Sequence, residues 1–289
     1  MSTSTDTLTP AAARPTAARV PHVTFPRLVR SEWIKFWTVR STWWILPITV
    51  LMMAGLGWLV TWGSMQARPG RGGGSGGMEI FDATTLAGVM IALAQLTIAV
   101  LAVLTITGEY TTGMIRTTLT ADPRRLGALW AKTLVIVSVT FVVTTIGAAL
   151  TWLLARWVVG DTSSLDLANS ETRRILLGAP LYLTGIALLA FALGALLRHS
   201  AAALATVFGL LLVIEGVWVN LPWTFFHKTS PFLPGSAGGK IFSTDAAIEA
   251  SRAAATGPVL TPWVGYGVLI AWGVVMLAVA SVLLRRRDA

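Results

Sequence analysis

The side chains able to do chemistry are few and scattered. Three histidines occur, His22, His199 and His227, in the N-terminal tail, a short turn between apolar runs and a polar loop. They are too dispersed to converge on zinc, and no H-E-x-x-H or G-x-S-x-G string is present. The chain has no cysteine, which removes disulfides, thiolate metal sites and cysteine nucleophiles. A phosphate-binding loop requires G-x-x-x-x-G-K-[ST]. The nearest string, "GSAGGKIF" from Gly235 to Phe242, is one residue short and carries Ile241 where the hydroxyl belongs. No catalytic, cofactor or metal site is therefore expected. The polar residues that stand out lie inside apolar runs: Gln95, and the acid Glu215. An ionisable group in such a run is a functional candidate, whereas a glutamine there commonly bonds one helix to another. Glu215 lies about four residues before Asn220, near the end of its run, where water is also within reach.

What must position these residues is a set of membrane spans. Of 289 residues, 54% are hydrophobic and 12% charged, about half the charge of an ordinary soluble domain. Six runs meet the ~20 apolar residues a spanning helix needs: 43–62, 86–107, 129–154, 175–197, 201–220 and 262–284. They are continuous rather than alternating, which indicates helices and not barrel strands. The fold class is an all-α integral membrane protein with six transmembrane helices. Residues 1–25 have no apolar core and read as a disordered tail; 26–289 form the transmembrane domain. "RPGRGGGSGG", 68–77, reads as a flexible linker. Tryptophans near span ends suit the interfacial belt, while Trp58 and Trp272 lie deeper.

Lys and Arg placement sets orientation. With the N-terminus in the cytoplasm, the inner segments hold Arg14, Arg19, Arg27, Arg30, Lys35, Arg40, Arg116, Arg124, Arg125, Lys132, Arg198 and Arg285 to Arg287, most of the 22 basic residues. Most acids fall outside. The expectation is a multi-pass plasma-membrane protein with both termini cytoplasmic. The net charge of +9 then reflects topology and anionic headgroups, not nucleic acid, since no basic stripe interleaves with exposed aromatics.

Two polar stretches interrupt this pattern. In "FPRLVRSEWIKFWTVRSTWW", residues 25–44, Val29, Trp33, Phe36 and Trp37 share one helical face and Arg27, Arg30, Ser31, Lys35 and Thr38 the other. Pro26 can begin this helix and Arg40 breaks its apolar face near the end. A helix over 26–41 lying in the membrane interface accounts for this; a cytoplasmic extension of the first span is the other reading. "GEYTTGMIRTTLTADPRR", 108–125, lies between the second and third spans on the cytoplasmic side. Asp122-Pro123 is a helix start, so the third helix should run from Pro123 to about Leu154, roughly 48 Å. Ahead of it, Met114, Ile115 and Leu119 can share one face of a short helix. A partner could cover that face, or the chain's own helices and headgroups.

Together these stretches, with "GALLRHSAAAL" and "FLPGSAG" later in the chain, resemble an ABC-2 type transporter permease of the actinobacterial sort. The resemblance spans roughly residues 27–284. It implies ABC-2 permease architecture: a membrane subunit without its own ATPase, pairing with itself or a related permease, and exporting a hydrophobic, lipid-like or drug-like compound. ATP would be used by a separate soluble ABC ATPase, so the chain itself would be no enzyme and hold no cofactor. It implies that Trp33, Lys35, Phe36, Trp37 and Arg40 belong to the interfacial connecting helix. Residues 111–120 would form a coupling helix docking on the ATPase through Met114, Ile115 and Leu119, with Glu109 and Arg116 as polar contacts at that seam. It implies short outer re-entrant elements over 221–250, and it allows Gln95 to face a subunit interface. The alternative is a secondary transporter or channel without ATPase.

Overall fold

A computed structural model describes residues 24–66, 83–112, 126–160, 165–254 and 257–287. Among them the regular elements are all helical. α1 (Phe25–Thr38) is followed by α2 (Arg40–Gln66), α3 (Ala83–Thr111), α4 (Leu126–Val159) and α5 (Ser170–Leu197). The next span, α6 (Ser200–Asn220), contains a π-helical turn over Gly209–Ile214. Three short helices, α7 (Thr224–Thr229), α8 (Pro234–Gly239) and α9 (Asp245–Ala254), precede the last, α10 (Pro262–Arg287). Six of these, α2 to α6 and α10, are long and apolar enough to cross a bilayer. The chain is thus a multi-pass membrane protein. The helices contain the six apolar runs and extend beyond most of them. α4, at 34 residues, is about 51 Å long.

α5 is the central helix, buried along most of its length from Thr172 to Ala195. Small residues let its neighbours close on it, as packing in lipid requires. A Cβ on Gly194 would lie 2.7 Å from Ile106 of α3, and one on Gly185 2.5 Å from Leu269 of α10. α2 and α4 meet the same way, with Gly57 against Thr151 and Gly147 against Met53. Local chemistry ends the helices. The Asn169 side chain accepts from the Glu171 N–H at the start of α5 (2.9 Å). Arg198 stops α5 in the left-handed region at φ 57°, with its N–H on the Gly194 carbonyl. The His199 ring then caps α6 by accepting from the Ala202 N–H, a structural use for that histidine.

Successive spans run in alternate directions. α1, the end of α3, the start of α4 and the end of α5 gather at one end of the bundle. The short helices α7 to α9 gather at the other.

Candidate functional site

At the α1 end, four charged side chains from three helices close into a ring. Lys132 of α4 donates to Glu32 of α1 and, at 2.9 Å, to Glu109 of α3. Lys35 of α1 donates to Glu32 at 2.8 Å and to Glu109 at 3.4 Å. Signs alternate around the ring and cancel. Glu32 is 2% exposed, Lys132 8% and Glu109 11%, so three of the four charges are withdrawn from water.

The sequence explains how such a cluster forms. Glu32 and Lys35 are three apart on a helix and therefore adjacent. Phe36, one turn beyond Glu32, is buried against the bundle and presses that face of α1 inward. α1 ends at Val39, whose backbone is extended, so the chain turns there into α2. Trp37 and Trp43 brace the turn: their rings meet edge-on at 5.4 Å, and the Trp43 indole donates to the Trp37 carbonyl. Arg40 opens α2 and is exposed. Beside the ring lies a cleft of about 300 Å³, walled by Phe36, Leu101, Leu104 and Val135. Burial alone would lower the Lys35 pKa. The hydrogen bond to Glu32 and the charge of Glu109 outweigh it and hold the ammonium above its ordinary value.

The apolar face of α1, Val29 with Trp33, Phe36 and Trp37, is unevenly covered by the bundle. Phe36 is buried and Val29 and Trp37 are partly buried, but Trp33 is 45% exposed. Glu32 is buried beside Phe36, and Lys35, on the polar face, reaches it across one turn. Glu109 lies in the ring, engaged by both lysines. Met114, Ile115, Arg116 and Leu119 lie outside the described residues.

The candidates inside the spans have structural partners. The Gln95 carbonyl accepts from the Tyr182 hydroxyl at 3.2 Å, tying α3 to α5. Glu215, 6% exposed, follows the π-helical turn and accepts three hydrogen bonds: from the Gly235 and Ser236 N–H groups, each 2.6 Å, and from the Ser236 hydroxyl, 2.9 Å. It therefore holds the start of α8. Trp272 donates to the Phe232 carbonyl at 2.9 Å, and Trp58 stacks on Trp62.

α8 dips into the bundle between α5 and α10. Gly238 lies against Tyr182 and Leu269, Gly265 against the Ala237 carbonyl, and Gly178 against the Ile241 carbonyl. Tyr182 is roughly 18 Å along α5 from Ser170, so the segment around α8 reaches well down the bundle. Arg174 anchors its far side, donating to the Ile241 and Ser243 carbonyls and to Asp245. Within 221–250, the stretch implied to hold short re-entrant elements, the segment packed between α5 and α10 is 234–242.

Among the described residues no group of three His, Asp or Glu side chains is placed to hold a metal. Comparison with family models finds no match, and comparison with curated proteins finds none.

Proposed function

We propose that the chain is the membrane-spanning subunit of an ABC-2 type transporter. In this reading it exports a hydrophobic, lipid-like or drug-like compound, and a separate soluble ATPase supplies the work. Both termini are cytoplasmic, so the ring of Glu32, Lys35, Glu109 and Lys132 lies on the cytoplasmic side. The working unit is a two-fold pair of chains, since C2 is the commonest closed symmetry.

The observation that carries the reading is the position of the ring. Glu109 stands just before segment 113–125 and Lys132 just after it, one on each helix that leaves the segment. Both grip α1. A displacement applied to that segment by a docked ATPase therefore reaches α3, α4 and α1 together. The long α4 extends it toward the opposite end. A secondary transporter would more usually place its charges at the bilayer midplane, and the ring lies at the helix ends.

The test is purification of the tagged chain from its native membranes. A P-loop polypeptide and ATP hydrolysis should copurify. The double variant Ile115→Asp with Leu119→Asp should reach the membrane at the wild-type level and lose both. An unpaired charge in a docking seam costs about 2 kcal/mol or more. If the wild-type chain carries no P-loop polypeptide, or the double variant keeps it with full activity, the ATPase-coupled reading fails.

A further inference from the structure

The end of the bundle opposite α1 holds a second cavity of about 770 Å³. It lies between α7, α8 and the stretch leading to α10. Polar side chains line it, among them Lys240, His227, Thr224 and Ser236. The serine hydroxyls have internal acceptors: Ser236 donates to Glu215, Ser230 to the His227 carbonyl and Ser251 to the Ile248 carbonyl. Their protons point away from any ligand. The Lys240 ammonium, the His227 ring and the Thr224 hydroxyl have no such partner among the described residues. The lining thus offers one full positive charge together with a hydroxyl and an imidazole able to donate to a ligand.

Lys240 is rooted against α10. Its Cβ is 3.2 Å from the position a Cβ would occupy on Gly265 of α10, and its residue is half-buried. Among the described residues no carboxylate forms an ion pair with it. The described carboxylates of this end are all engaged: Asp245 with Arg174, Glu171 with the Asp245 N–H, Glu249 with Arg252, Asp166 with the Ala168 N–H, and Glu215 with α8. A half-buried cation beside neutral donors, in a cavity with room for several heavy groups, selects an anion with several oxygens.

We propose that this cavity is a binding site for a phosphate- or carboxylate-bearing headgroup, with Lys240 as the charged contact and His227 and Thr224 as accompanying donors. The site concerns binding alone and stands independently of any ATPase. A bilayer lipid and a free anion present the same oxygens, so the experiment separates them.

The full chain, stripped of phospholipid in an uncharged maltoside detergent, is examined alone, with inorganic phosphate, or with phosphatidylglycerol added to the micelle. A water-soluble acetylating reagent is added, and the modification rates of Lys240 and Lys228 are followed by peptide mass spectrometry. Lys228 neighbours His227 but is exposed and does not line the cavity, so it reports any general charge effect. Lys240 should be acetylated about tenfold more slowly with the anion, as one charge-assisted hydrogen bond implies, while Lys228 is unchanged. Protection by phosphate alone identifies a free anion as sufficient; protection only by phosphatidylglycerol identifies the bilayer headgroup. Equal Lys240 rates in all three conditions overturn the site. As a second measurement, Lys240→Gln should retain about tenfold less phosphatidylglycerol on purification and Lys240→Arg should retain it. Wild-type retention by Lys240→Gln overturns the site as well.

Discussion

Lys132 and Glu32 stand 100 residues apart in sequence and form a buried ion pair between α4 and α1. Neither is more than a tenth exposed. A pair of this kind adds little net stability over a well-packed apolar pair, but breaking it from one side strands a charge. Lys132→Met should therefore destabilise the folded protein by ~3 kcal/mol or more. Glu32→Gln combined with Lys132→Met should recover most of that loss, because neither helix then carries a buried charge from this pair. Thermal unfolding of both single variants and the double variant gives the coupling directly. Additive losses, with no recovery in the double variant, would show that the two side chains do not act as a pair.

Lys35 sets the pH dependence of the same ring. Its folded pKa is raised: burial opposes the charge, and Glu32 and Glu109 overcome that opposition. A cation whose pKa rises on folding stabilises fully below its unfolded value and loses that contribution as pH climbs through the folded value. The contribution of Lys35 should hold from neutrality to about its ordinary value of 10.5 and fall above it. The difference in unfolding midpoint between wild type and Lys35→Met should be constant below that value and shrink above it. A difference that shrinks between pH 7 and 9 would assign the effect to another group.

These two residues also show where the sequence could be read and where it could not. The six spans, the break near Arg40 and the helix before it follow from hydropathy and period alone, and the structure has them. Glu32 carries only a faint signal, as the one acid in a strongly basic stretch and three residues from a lysine. Lys132 serves the orientation argument, and it also sits inside an apolar run, where charge needs a partner. Both signals were local. Their meeting was not, because nothing in the spacing of residues 32, 109 and 132 says which helix ends adjoin. Glu215 was legible as an unusual acid, but its partners lie on a segment whose descent into the bundle depends on glycines meeting backbone across α5 and α10.

The Glu215 arrangement predicts a specific local loss. Its carboxylate satisfies two backbone N–H groups and one hydroxyl at the start of α8. Glu215→Ala leaves those donors unpaired, each at a cost of about 1–3 kcal/mol. The spans have their own packing, so the loss should appear first around α8. Hydrogen exchange should accelerate over residues 234–242 while α3 and α5 keep their protection. The chain has no native cysteine, so Ser243→Cys offers a labelling site for the same test. Unchanged exchange over 234–242 in Glu215→Ala would mean that the carboxylate does not hold α8.

Gly265 and Gly267, two residues apart on α10, should respond oppositely to the same substitution. A Cβ on Gly265 would stand 2.3 Å from the Ala237 carbonyl oxygen, a backbone atom that moves only if α8 moves. A Cβ on Gly267 has nothing within 4 Å. Alanine is the better helix former by roughly 0.5–1 kcal/mol. Gly267→Ala should therefore leave the unfolding midpoint unchanged or raise it slightly. Gly265→Ala gains the same propensity but must push α8 out of its seat, at about 1–3 kcal/mol for an overpacked contact. The same displacement would pull Gly235 and Ser236 away from Glu215, so exchange over 234–242 should rise in Gly265→Ala as it does in Glu215→Ala. Combining the two substitutions should then add less than the sum of their separate effects, because both release the same segment. Strict additivity, or a Gly265→Ala protein as stable as Gly267→Ala, would show that α8 does not pack against α10 at this depth.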